Sequence, residues 1–218
     1  GNVYFGWPPE LQLNNQDRLL LNLFITTFGD GTASNLYDLF INSETRKVNI
    51  GGNNVWSWTP NYQGSPVWLA ITGLDNEHIN YGMVDSLRKI ILDEIQRIYN
   101  LEDNSDEIKA FNSRVLSRLI QQRKEQEDYL NSPPMFGFRS GPAGGWLSTL
   151  EYLEGSDEFR KSLVFKEYFT QVESLINSGK NIWKGLIDKC RLLSLKPYGV
   201  GMEPDREMLD RMKEDKEE

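Results

Sequence analysis

The sequence predicts an α+β fold, a two-layer sandwich in which a mainly antiparallel sheet is covered by helices. Three observations lead there. Strand-like runs at residues 3–7, 55–58, 67–72 and 198–202 are interspersed with helical stretches. Two of those runs, separated by a short polar segment with Gly64, read as a hairpin. Most apolar residues at helical spacing follow that hairpin, in the second half of the chain. Mixed strands and helices, with a hairpin in the middle and most helices after it, fit a layered α+β architecture better than a doubly wound parallel sheet, which needs strict β-α alternation.

Each element has a local cause. Val3, Tyr4, Phe5 and Trp7 are β-branched or aromatic, and Pro8-Pro9 ends the run because proline cannot continue a ladder. Asn14 or Asn15 can cap a helix with Asp17 in its first turn and Leu20, Leu23, Phe24 and Thr27 on one face. The additional Leu19 and Leu21 imply burial on more than one side. Ser34 is a good cap for a short helix that holds Leu36, Leu39 and Phe40. Residues 48–60 read as an extended segment interrupted by Gly51-Gly52, with the strand proper around Val55, Trp56, Ser57 and Trp58. Its partner alternates so that Val67, Leu69 and Ile71 share a face.

After Gly73, the residues Val84, Leu87, Ile91, Ile95 and Ile98 recur at the amphipathic period and predict a long helix over 83–99. A polar break at 102–106 precedes Ile108, Phe111, Val115 and Leu119, again at helical spacing, and the charged stretch 121–128 reads as that helix's solvated end. Pro133-Pro134, Gly137, Gly141-Pro142 and Gly144-Gly145 mark a loop. Helices are then expected near 146–153, 159–177 and 182–193, the middle one aligning Phe165, Phe169, Val172 and Ile176 with Gly179 just past its end. Tyr198, Val200 and Met202 alternate with glycines in a last strand, and Pro204 opens a charged, helix-like tail. The expected division is therefore a domain over 1–202 and the start of a helical linker over 203–218.

Composition bounds the chemistry. The chain has 218 residues, 24 Lys+Arg against 32 Asp+Glu, and a formal charge of −8. Half of that excess lies in 203–218, where eight acids meet four bases. No basic stripe with interleaved aromatics appears, so nucleic acid is not an expected partner. The longest apolar stretches fall far short of the roughly 20 residues a membrane helix requires. A single histidine, His78, and a single cysteine, Cys190, cannot supply the ligand sets of a Cys₂His₂, His₃ or His₂Glu zinc site, and one thiol makes no intramolecular disulfide. With 39% apolar residues, stability has to come from a packed core.

Several motifs invite a chemical reading. Leu74-Asp75-Asn76-Glu77-His78 would be the inverted zinc motif H-x-x-E-H if Leu74 were histidine, but leucine offers no lone pair. It is better read as the loop between a strand and the long helix. Gly29-Asp30-Gly31-Thr32-Ala33-Ser34 matches a phosphate turn superficially, yet it joins two helices rather than a strand and a helix, and no lysine follows Gly31. A helix-helix turn capped by Ser34 accounts for it. Trp56, Trp58, Tyr62 and Trp68 surround the hairpin and are the candidate interface residues; such aromatics are core or domain-interface groups, or an exposed row that takes peptide or glycan. Cys190 lies between Ile187 and Leu193 on an apolar stretch and reads as a buried thiol, with no histidine assignable beside it as a base.

The order of these pieces resembles the non-catalytic repeat domain of the pitrilysin/insulinase family of zinc metallopeptidases, a fold of the LuxS/mitochondrial-processing-peptidase-like kind. Phe28-Gly29-Asp30-Gly31-Thr32-Ala33-Ser34-Asn35-Leu36-Tyr37 resembles the family's glycine loop and Ser-x-Leu helix start. Gly64-Ser65-Pro66-Val67-Trp68-Leu69 and the long helix after it occupy the expected places. Gly155-Ser156-Asp157, Gly179-Lys180-Asn181-Ile182-Trp183-Lys184-Gly185-Leu186-Ile187, Lys196-Pro197-Tyr198 and Glu203-Pro204-Asp205 are similar to the presequence-protease-like branch.

The resemblance implies a parent of four related domains with zinc in the first, peptide degradation inside a closed chamber, and this chain as the second domain, cut from a longer polypeptide. The implied partners are the catalytic domain and the other half of the same polypeptide, with peptide as the parent's substrate. This chain itself would bind no cofactor and carry no catalytic or metal residue. The family's last domain holds substrate through an Arg and a Tyr after the Ser-x-Leu helix; the stretch Phe40-Ile41-Asn42-Ser43-Glu44-Thr45-Arg46-Lys47-Val48-Asn49 has no such spaced pair, which favours the second domain over the last. Two other expectations stand beside this one, a non-proteolytic assembly subunit of the same fold and a free-standing peptide- or glycan-binding module.

Overall fold

The computed structural model describes residues 1–9, 13–59, 64–131, 165–205, 207–208 and 211–212. Four strands, β1 (Asn2–Trp7), β2 (Asn54–Trp58), β3 (Val67–Thr72) and β4 (Tyr198–Met202), form one antiparallel sheet in the order β2-β3-β1-β4. Six α-helices accompany them among the described residues: α1 (Asn15–Gly29), α2 (Asn35–Phe40), α3 (Tyr81–Tyr99), α4 (Asp106–Asn131), α5 (Phe165–Asn177) and α6 (Trp183–Lys189). The protein is thus the α+β sandwich that the element order predicts.

Alternation decides which way the sheet faces. Val3, Phe5 and Trp7 on β1, Val55 on β2 and Val67, Leu69 and Ile71 on β3 all point inward and are buried. Helix α1 lies over β2 and β3, and α3 lies over β4. Ser57, the polar residue of β2's inward row, donates to the Ile25 carbonyl of α1 at 2.8 Å, so its burial leaves no unpaired hydroxyl. Gly29 permits this approach: a Cβ there would sit 2.9 Å from both Leu69 Cδ2 and Ser57 Cβ.

The doubled leucines of α1 are explained by its position. Besides the sheet, it touches α2, α4, α5 and α6, and Leu20, Leu21, Leu23, Phe24, Ile25 and Phe28 are all buried. Phe24 is the centre of an aromatic cluster, 5.9 Å from Phe28, 5.8 Å from Phe111 and 5.6 Å from Trp183 between ring centroids. Trp183 also meets Phe111 edge-on at 5.5 Å, and its indole N–H donates to Asn112 Oδ1 at 2.8 Å.

Caps close the helices much as expected. Asn14 Oδ1 accepts from Asp17 N at 2.8 Å, and Ser34 Oγ accepts from Tyr37 N at 3.2 Å. Helix α3 begins at Tyr81, two residues before its expected start, because Asn80 Oδ1 accepts from Met83 N. Helix α6 ends at Lys189 and does not run to 193. Arg191 adopts φ +54°, its N–H bonds Asp188 O, and the N–H of Leu192 reaches back to Ile187 O at 3.0 Å, a Schellman closure that stops the helix.

Strand β2 is Asn54–Trp58, where the sequence places it, and Gly51 at φ +72° turns the chain before it. One further expectation changes. The stretch 121–128 is not simply a solvated end: α4 continues to Asn131, Gln122 Nε2 donates to Asn22 Oδ1 at 2.9 Å, and Arg123 pairs with Glu173 and covers the Phe169 ring. The predicted loop after Pro133, the helix near 146–153 and the first residues of the 159–177 helix lie outside the described residues, as does Tyr62. In the charged tail, Arg211 N bonds Glu207 O at 3.0 Å, a helical contact. No described helix is long and apolar enough to cross a membrane.

Candidate functional site: the outward face of the sheet

The same alternation that buries one side of the sheet assembles the other. Register places Trp58 opposite Trp68, Trp68 beside Gly6, and Gly6 opposite Tyr198, so these four form one row across all four strands. The next row is Trp56, Ala70, Tyr4 and Val200, and Met202 ends the third beside Asn2. None of these side chains belongs to the inward set that packs on the helices.

Small residues let the large ones close over them. Trp68 lies across Gly6, where a Cβ would come within 2.7 Å of its ring. Ala70, fully buried between its neighbours, lets Tyr4 and Trp56 meet above it edge-on with centroids 5.8 Å apart. Trp56 and Trp68 are thereby half-buried, whereas Trp58 is 52% exposed and Tyr198 76%. Val200 and Met202 are also exposed. The result is an apolar, aromatic surface spanning the sheet, larger than scattered surface hydrophobics would give.

The structure therefore brings Trp56, Trp58 and Trp68 together on the face away from the helical core, and says nothing of Tyr62. Sequence reading missed Tyr4, Tyr198, Val200 and Met202 as members of this face. The signal was present in the glycine alternation of 198–202, since glycines at the inward positions of an edge strand make the intervening side chains outward ones.

Edge strand β4 owes its place to those glycines and to an ion cluster. A Cβ on Gly199 would lie 2.6 Å from Arg88 Nη2 and 2.8 Å from Val84 Cγ1, so α3 packs directly against bare backbone. Arg88 is buried and pairs with Asp85, which also binds Lys196 at 3.1 Å just before the strand. The hydrogen bond and charge of Lys196, with a lesser contribution from Arg88, hold the Asp85 carboxyl below the usual carboxylate range.

The other sequence motifs carry no chemistry in the fold. The Gly29–Ser34 segment is a helix-helix turn whose exposed carbonyls already face cations: Arg118 donates to Asp30 O and Arg114 to Ala33 O. Ser34 Oγ donates to Gly31 O at 2.7 Å, closing the turn on itself. His78 ends the 3₁₀ turn Asn76–His78, and Cys190 is buried at the C-terminal cap of α6, on a different element. Among the described residues, no group of three or more His, Cys, Asp or Glu could hold a metal. One histidine and one cysteine do not fit the donor set of a catalytic zinc site.

No protein-family model and no curated protein sequence matches this chain. Solved structures do. A protease from Helicobacter pylori matches at 15% identity with a TM-score of 0.56, over 93% of this chain and 41% of that one, so the chain spans less than half the length of that relative. A "putative zinc protease" from Bordetella pertussis Tohama I matches at 13% identity and a TM-score of 0.54, with 94% of each chain covered. The inactive peptidase domain of a "putative zinc protease" from Bordetella parapertussis matches at 14% identity and 0.54, over 94% of this chain and 93% of that one. This chain has the α+β fold of those protease domains.

Proposed function

We propose that the chain is a non-catalytic structural and substrate-chamber domain of a zinc-dependent metalloendopeptidase that degrades peptides. One combination carries the reading: a fold shared with zinc-protease domains, in a sequence with a single histidine. In this reading zinc belongs to a separate catalytic domain of the parent, as in the presequence-protease-like branch. The aromatic sheet face, with Trp56, Trp58 and Trp68, is the surface that meets that domain or lines the chamber. Contiguous apolar surface of this kind marks a place where a partner or ligand binds.

The test is twofold. The isolated chain should bind no stoichiometric zinc and cleave no peptide; tight zinc binding together with peptide cleavage by this chain alone would sink the proposal. In the uncut reading frame, a His-x-x-Glu-His about 150–200 residues upstream, roughly one domain length, is expected. Its absence would favour the non-proteolytic assembly subunit. The exposure of Trp58 supports one further reading, a free-standing module that takes peptide or glycan on the same face. Tryptophan fluorescence that resists aqueous quenchers in the isolated chain would remove that reading's basis.

A further inference from the structure

A second feature lies on the helical side, far from the aromatic face and independent of the proposal above. Helices α2, α3 and α4 and the segment after α2 line an open polar cleft of about 380 Å³. Its inner wall is Glu94, which sits on the apolar face of α3 between Ile91 and Ile98 and is buried. A buried carboxylate needs full pairing. Glu94 has it: Arg97 donates to both of its oxygens at 2.8 and 3.0 Å, and Asn35 Nδ2 donates at 2.7 Å. That fork cancels the charges of Glu94 and Arg97.

Arg114 is different. Its guanidinium donates to Asn35 Oδ1 at 2.9 Å and to the Ala33 carbonyl at 2.8 Å, both neutral acceptors, while stacking on Phe111 at 5.4 Å. Among the described residues no carboxylate lies within ion-pair distance of it. Burial pushes its pKa down and the like charges of Arg97 and Arg118 add to that, while the charges of Asp38 and Glu94 oppose it from beyond ion-pair distance. A guanidinium oriented by two fixed bonds and half-removed from water, with unused N–H groups and no carboxylate in direct contact among the described residues, is preorganised for an anion. Lys47 lines the same cleft, exposed, and makes no side-chain hydrogen bond or ion pair among the described residues. With Glu94 and Arg97 cancelled, the lining retains Arg114, Lys47 and one acid, Asp38.

We propose that this cleft binds a small oxyanion, a carboxylate or phosphate group, seated on the Arg114 guanidinium with Lys47 closing the outer side. Asp38 weakens the site by opposing the incoming charge. The three groups come from α2, the segment after it and α4.

The experiment titrates the full 218-residue chain with inorganic phosphate and, separately, with acetate, by calorimetry at low ionic strength with chloride matched. Saturable one-to-one binding of either is expected. Phosphate alone assigns the phosphate class, acetate alone the carboxylate class, and binding of neither overturns the proposal. Lys47→Ala should weaken binding about threefold and Asp38→Asn should tighten it about twofold, the size expected of partly exposed charges. Both side chains are exposed, so both variants should fold. Arg114→Gln should abolish binding in a chain whose circular dichroism is unchanged. If Arg114→Gln fails to fold, the opposite signs of the other two decide; binding indifferent to both refutes the site.

Discussion

Asn181 joins two loops, and the structure fixes what its loss should do. Its amide Nδ2 donates to Ile98 O and Leu101 O, each at 2.9 Å, and to Tyr99 O at 3.3 Å, satisfying carbonyls at the end of α3. Its Oδ1 accepts from Trp183 N at 3.2 Å, and its backbone N–H donates to Asp103 Oδ1 at 2.7 Å. The side chain is buried. Asn181→Ala removes the donors but leaves the carbonyls and the Trp183 N–H in place. Each net bond is worth about 1 kcal/mol, and each buried partner left unsatisfied costs about 1–3 kcal/mol, so a loss of about 3 kcal/mol is expected where water cannot enter.

Asn181→Asp should cost more at neutral pH although its shape is conserved, because it aims a carboxylate at carbonyl oxygens. The introduced carboxyl would have its folded pKa raised, so the penalty applies above the unfolded value of about 3.9 and disappears as pH falls below it. Urea denaturation followed by far-ultraviolet circular dichroism at pH 7 and pH 4 reads this directly. With a slope of about 2 kcal/mol/M, Asn181→Ala should shift the midpoint down by about 1.5 M at unchanged slope. The gap between the two variants should close toward pH 4. A shift below about 0.5 M for Asn181→Ala, or an Asn181→Asp variant as stable as the unmodified chain at pH 7, refutes the reasoning.

Three other outcomes follow from the packing. Gly199→Val should destabilise by about 1–3 kcal/mol, because α3 leaves no room for a side chain under β4, and loss of the β1–β3 pairing, Gly6 with Trp68 and Trp7 with Val67, should not accompany it; amide exchange confined to β1 and β4 would check this. Asp85, whose carboxyl is held low by Lys196, contributes stability above its unfolded pKa that is lost as pH falls through its lower folded value. The stability difference between the unmodified chain and Asp85→Asn should therefore be constant from pH 6 to 8 and vanish in strong acid; a difference that persists there contradicts the assignment. Cys190, buried at the α6 cap, should react with a thiol reagent only at the rate of unfolding, and fast labelling in native buffer would show that the cap opens.

The motif 179–187 shows how a sequence resemblance and a physical role coincide. Gly179 is needed at φ +74° where the chain turns after α5, Asn181 ties that turn to the end of α3, and Trp183 fills the aromatic cluster. These are demands of folding and carry no catalytic information. Similarly, the inward glycines of β4 and the cap at Ser34 are legible as local structure without saying what the domain does.

What the sequence determined by itself were the local periodicities: the shared face of Val67, Leu69 and Ile71, the apolar faces of α1, α3 and α4, the caps at Asn14 and Ser34, and the want of zinc ligands. Those follow from alternation and helical spacing, which encode the side each residue buries. The limit of α6 was not legible, because left-handed Arg191 stops it through backbone conformation rather than hydropathy. Only the tertiary structure put Tyr198 in a row with Trp58 and Trp68, and Arg114 in one cleft with Lys47 and Glu94. Such neighbours are set by strand order and helix packing between segments far apart in the chain, and a side chain's own surroundings in sequence carry no record of them.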